Sequence, residues 1–264
     1  MAARITRAKK KISAARIPYR VPSPDQLAER VSVVLQVVHL IFTAGHTAPA
    51  GSQLARRDLI DSAISLVRML NLLMPGHAEI SALLALLLII DARAPSRLSL
   101  AGDLLLLSEQ DRSKWDRRLI EEGTSLLTGA LRRQPPTRYA IEAAIAAVHA
   151  EAPAWEKTDW SQIIALYDVL RQLWPSPVVD LNRAVAIGLR DGPAAGLDAL
   201  APLLADPALA TYGYLSAARA DCLRRCGQWQ DAADAFEEAL ALTCNDVERA
   251  FLTKRLAEAR AAGS

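Results

Sequence analysis

At 264 residues the chain is long enough for a sizeable core, and 52% of it is hydrophobic with only 5% aromatic, a balance built largely on Ala and Leu that favours helices over sheets. The longest apolar stretch, Ala82 to Ile90, falls short of the roughly 18–20 residues a membrane span requires and reads as a buried helix. Net charge is +2, but seven basic side chains and no acid lie in the first twenty residues; the remaining 24 of the 31 basic residues face all 29 acidic ones, a net of −5.

In chain order, the basic start comprises Arg4, Arg7, Lys9, Lys10, Lys11, Arg16 and Arg20. Its composition is shared by mitochondrial transit peptides. Residues 17–24 (IPYRVPSP) hold three prolines and no helical period, so they read as a linker with a boundary near residue 20. Ser23, Pro24 and Gln26 then supply an N-cap, a first-turn proline and a capping-box partner. Leu27, Val31, Val34, Leu35, Val38, Ile41 and Phe42 recur at helical spacing up to Gly45. Comparable helices are expected over 59–73, 79–91, 109–131, 139–149, 160–173 and 177–189, with four more between Gly192 and about residue 261. A long loop is expected over 93–108.

A period of about 34 residues emerges near the C-terminus. Gly227, Trp229, Ala232, Phe236 and Ala239 match the second helix of a tetratricopeptide (TPR) unit, and Ala220 and Leu223 fall where its first helix needs a small and a large apolar residue. Trp160, Ile163, Tyr167, Leu170 and Pro175 fit the same frame; Ile60, Ala63, Val67, Leu70 and Pro75 fit it more weakly. The expected fold is therefore all-α: a TPR-like stack of antiparallel helix pairs, an α-solenoid, over residues 21–264, with a short basic helix ahead of it.

Catalytic signals are lacking. His39, His46, His77 and His149 are too scattered for a metal signature. Cys222, Cys226 and Cys244 are odd in number, fit no disulfide framework and suit a reducing, cytoplasmic compartment as small buried hydrophobes. No nucleophile elbow, phosphate-binding glycine loop or dinucleotide fingerprint is present. The expectation is a non-enzyme without cofactor or metal. Two polar clusters stand out as candidate partner surfaces. Asp111, Arg112, Trp115 and Asp116 fall in the helix expected after the long loop, where Asp111 with Trp115 and Arg112 with Asp116 are one turn apart. The same residues fit an ordinary helix start with Ser108 as its cap. Asp180, Asn182 and Arg183 fall in a repeat's first helix, the one that lines a TPR groove.

MAARITRAKKKI followed by SAARIPYRVPSPDQLAERVSVVLQVVHLIFTAGHT resembles the ECF-type RNA polymerase sigma factors that carry a long C-terminal extension, the subgroup associated with DGPF-motif proteins. Met1, Arg4, Arg7, Ala8 and Lys9 match the closing half of that family's region 4 recognition helix, and residues 17–22 its linker. The likeness continues through EQDRSKWDRRLIEEG (109–123), AIAAVHAEAP (144–153), TDWSQIIALYDVL (158–170) and PSPVVDLNRAVAI (175–187). Ala44 departs from the family, which places an acid there. The resemblance also accounts for the basic start without a transit peptide. It implies that residues 1–20 are a remnant of region 4 and residues 21–264 a regulatory and scaffolding extension. The implied partners are core RNA polymerase and the sigma regions 2 and 4 missing here. It further implies that the chain alone does not initiate transcription. Arg4, Arg7, Lys9, Lys10 and Lys11 are then expected to bind DNA weakly, through phosphates. Read from the residues alone, a stand-alone TPR-like adaptor that holds a peptide or protein in its groove is the other expectation.

Overall fold

The computed structural model describes Thr6, Arg7, Lys10, Lys11, Ala14, Ala15 and residues 24–263. The expected linker over 17–22 lies outside the described residues, as do Arg4 and Lys9. The fold is all-helical: among the described residues there are eleven α-helices and no strand, only two isolated backbone bridges. The helices are α1 (Pro24–His46), α2 (Arg57–Leu73), α3 (Ala78–Asp91), α4 (Arg117–Arg133), α5 (Arg138–Glu151), α6 (Trp160–Leu173), α7 (Pro177–Arg190), α8 (Pro193–Leu200), α9 (Gly213–Arg225), α10 (Trp229–Leu242) and α11 (Asp246–Gly263). None is long and apolar enough to cross a membrane. The chain divides into two compact units, residues 1–37 and 38–264. In the first, Thr6, Arg7, Lys10, Lys11 and Ala14 take helical backbone, and Pro24 opens α1 as expected.

The second unit is built on α3, whose residues Ile80 to Ile89 are all buried. A helix apolar all round needs neighbours on every side, and α2, α4 and α5 supply them. Gly123 makes the α3–α4 approach possible, because a Cβ there would lie 2.6 Å from Ile89 Cγ1. Two polar groups of α3 are satisfied from α2: Ser81 Oγ donates to Asn71 Oδ1 at 2.9 Å, and Asp91 accepts both arms of Arg57 at 2.5 and 2.8 Å.

Further along, one cluster joins Ile141, Ile145 and Val148 of α5 to Ile163, Ile164 and Leu170 of α6 and to Val179 and Ala186 of α7. Another joins Ala220 and Leu223 to Ala232, Phe236 and Ala239 and to Leu252, Leu256 and Ala259, so the repeat-phase residues of the C-terminal helices pack together. Tyr167, the aromatic of the second repeat frame, is half-buried beside the α5–α7 cluster. Between α7 and α8 the backbones nearly touch: a Cβ on Gly196 would stand 2.9 Å from Gly188 Cα.

Strict repeat arrays contact only their sequence neighbours, but this unit also joins its ends. Asn245, 1% exposed, donates through Nδ2 to Ala48 O at 3.0 Å and Gln53 O at 2.9 Å. Its Oδ1 accepts from Val247 and Glu248 N, capping α11, while Asp246 N donates to Gly51 O at 2.9 Å.

One expected helix is shorter than its sequence pattern. The run expected over 109–131 is α-helical only from Arg117, because Asp116 caps it, accepting from Arg118 N at 2.9 Å and Leu119 N at 3.2 Å. Trp115 is extended, at φ −69° and ψ 138°, and Asp111 caps a separate 3-10 turn over Arg112–Lys114. Short acidic side chains compete for backbone N–H groups and so start helices rather than continue them. Ser108 therefore has no capping role. Of the cysteines, Cys222 is buried as expected and its thiol is pushed up to about 11 by burial, whereas Cys226 and Cys244 are exposed.

Candidate functional site

The residues 92–116 leave the helical frame and are fastened back to it by specific bonds. Asp116 N donates to Ala92 O at 2.9 Å, and Leu105 N to Arg97 O at 3.0 Å. Trp115 is only 3% exposed, and its Nε1 donates to Ser96 Oγ at 2.7 Å. Ser96 Oγ in turn donates to Arg93 O at 3.0 Å. Arg255 of α11 reaches Glu109 at 3.3 Å.

This excursion carries three arginines inward. Arg112 Nη1 donates to His149 O at 2.6 Å and Ala152 O at 2.7 Å, while its guanidinium lies 4.6 Å above the Trp115 ring. Arg97 donates to His46 O through Nη1 and to Thr47 Oγ1 at 3.2 Å through Nη2. The Arg93 guanidinium makes no hydrogen bond or ion pair with any described residue. Burial, then the charges of Arg97 and Arg112, pull its pKa below the ordinary arginine range, down to about 10. Burial lowers Arg97 and Arg112 as well.

The same positive field acts on two histidines. Burial and the neighbouring Arg93 and Arg112 hold His149 at about 4, and burial with Arg97 and Arg93 holds His46 at about 3. Both imidazoles are therefore neutral near pH 7. Orphaned atoms lie in this cluster, since Arg112 Nη2 and His149 Nδ1 are buried without a hydrogen-bond partner. Acids reach the cluster only at a distance. Glu248 and Asp91 draw Arg97 upward, yet Glu248 accepts from Tyr214 OH at 2.6 Å and Asp91 is held by Arg57. Glu156 acts likewise on Arg112.

The residues singled out in the sequence fare differently. Trp115 is corrected from partner surface to core, because its ring is buried and its polar atom is spent inside the protein. Arg112 turns inward rather than pairing with Asp116, and Asp111 accepts from Ser113 N at 3.0 Å instead of meeting Trp115, since neither pair shares an α-helical turn. Asp111 and Asp116 remain exposed, each as a cap. Asp180 pairs with Arg171, and Arg183 Nε donates to Asp168 at 2.7 Å, so both tie α7 to α6; Asn182 is exposed. Arg7, Lys10 and Lys11 are exposed. No group of three or more His, Cys, Asp or Glu among the described residues could hold a metal ion.

Sequence reading misses Arg93 and Arg97. The available signal is a loop with two arginines four apart and no acid between them, DARAPSRLSL.

Residues 30–131 match a family of unknown function (DUF6596). The chain is similar to an uncharacterized protein of Rhizobium meliloti (strain 1021), with 41% identity over 256 residues. The match takes in 97% of this chain and 60% of that protein, so the chain spans less than two thirds of the relative's length.

Proposed function

We propose that the chain is a regulatory and scaffolding C-terminal module of an ECF RNA polymerase sigma factor, a TPR-like helix-pair stack acting in transcription initiation through protein contacts. The observation that carries the scaffolding part is a row of exposed apolar side chains on α2: Leu66, Met69, Leu72 and Leu73, with Leu72 at 81% exposure. Contiguous exposed apolar side chains mark interaction surfaces, and these four follow helical spacing along one element. The sigma-factor part rests on the quoted strings from residue 1 through 187. The relative's greater length is consistent with additional regions outside the shared part.

In this reading the module supports sigma regions 2 and 4 or core polymerase and is not competent as a sigma factor alone. Reading the DNA upstream of Met1 in frame tests it. The expected result is an open frame that fuses region 2 and the rest of region 4 to this chain; expressed as a separate polypeptide, those regions co-purify with this chain and are released by Leu72→Asp. An in-frame stop codon with a ribosome site at Met1, and a chain that binds peptides without any sigma region, would replace it with the stand-alone adaptor.

A further inference from the structure

We propose that Arg93, Arg97 and Arg112 form an interior binding site for a phosphate group, either free inorganic phosphate or the phosphate of a small metabolite. None of the three makes an ion pair with a carboxylate among the described residues, whereas fifteen ion pairs of other arginines and lysines are formed there. Like charges gathered in a protein interior repel and lose hydration, so the arrangement is unfavourable until an anion enters.

The geometry carries the inference. The Arg93 guanidinium has no hydrogen-bond or ion-pair partner among the described residues, yet the residue is half-buried and so still reached by solvent. Beside it, Arg112 Nη2 and His149 Nδ1 are buried and unpartnered, while the rest of each residue is fixed by bonds to carbonyls or by ring contacts with Trp115 and Trp160. Free donors on immobilised side chains are what a preorganised ligand site offers. The depressed pKa of Arg93 agrees with this crowding, and it remains charged at neutral pH.

Phosphate fits better than a carboxylate. A guanidinium fork engages two oxygens at once, and a planar monoanion has only two to share. Tetrahedral phosphate has enough oxygens for several forks and carries about two negative charges near neutrality against three positive ones. The two neutral histidines can add N–H donors without adding charge. The proposal stands on these residues alone and holds whether or not the chain belongs to a sigma factor.

The test is a titration of the intact protein with inorganic phosphate, followed by thermal unfolding and calorimetry, against sodium chloride at equal ionic strength. A saturable rise in the midpoint beyond that in chloride is expected. R93Q should bind phosphate at least about tenfold more weakly, the effect of one lost charge-assisted hydrogen bond, with an unliganded midpoint no lower than the parent's. R93K, which keeps the charge without the fork, should fall between them, and R132Q on the exposed part of α4 should match the parent. Glycerol phosphate separates the sources: binding at least as tight as inorganic phosphate identifies a phosphorylated metabolite, and no binding identifies the free ion. No saturable shift, undiminished affinity in R93Q, or an R93Q midpoint far below the parent's would overturn the proposal, the last by making Arg93 a structural residue.

Discussion

The C-terminal helices α9 to α11 and the excursion over 92–116 are both well packed, but by different means. The helices meet through Ala220, Ala232, Ala239 and Ala259, each fully buried, with Phe236 filling the space these small residues leave. Stability there comes from apolar area and close backbone approach. In the excursion a single large side chain, Trp115, is buried, and most of the fastening is done by hydrogen bonds among Ser96, Arg112, Asp116 and main-chain carbonyls. The first arrangement rests mainly on apolar contact, so pH and surface changes should affect it less. The second gathers charge where water is scarce, and so it should be sensitive to both pH and single polar changes.

The largest effects should come from emptying each region's aromatic position. Phe236→Ala and Trp115→Ala should each cost about 3–5 kcal/mol, read as urea unfolding midpoints, whereas Tyr167→Ala should cost less because its ring is only half-buried. Equal losses at all three would erase the distinction between filled core and core edge.

Acid should then separate the regions. His149 has a folded pKa of about 4 against an ordinary 6.5, so below pH 6.5 the unfolded chain takes up a proton that the folded one refuses. Its stability contribution is intact above about pH 6.5 and is lost as pH falls toward 4, by up to about 1.4 kcal/mol per pH unit. His149→Gln should reduce the slope in a pH series of unfolding midpoints by one histidine's share, His39 and His46 keeping theirs; an unchanged slope would detach His149 from the acid response.

Breaking the closure between the ends comes next. Asn245→Ala removes a buried side chain that donates to two carbonyls and caps α11, and a cost of about 1–3 kcal/mol is expected. Trp115→Phe keeps most of the ring volume but loses the bond to Ser96, and it should cost about 0.5–1.5 kcal/mol beyond any packing change. Asn182→Ala, at an exposed position, should stay within about 0.5 kcal/mol.

The two regions also differ in how far they can be read from sequence. Apolar runs and spacing, with proline or glycine punctuation, place α2, α3 and α5 to α7 within a few residues, because those helices are specified by their own local sequence. The same spacing puts the start of α4 eight residues too early, since Asp111 and Asp116 fit a helical period yet act as caps, and spacing alone does not show which way an acid turns. Trp115 is conspicuous in the sequence as an aromatic but not as a buried one. The cluster of Arg93, Arg97 and Arg112 is not legible there, because its members meet through tertiary placement against His46 and His149 rather than through a local pattern. Asn245 bonds to carbonyls 197 and 192 residues away, which no local spacing can announce.

The central claim is that the excursion is a fixed part of the fold that holds three guanidiniums in place. Amide hydrogen exchange on the intact protein tests this most directly. The Leu105 and Asp116 amides, bonded to Arg97 O and Ala92 O, should exchange as slowly as interior amides of α3. Exchange of both at free-loop rates, with α3 still protected, would contradict the account.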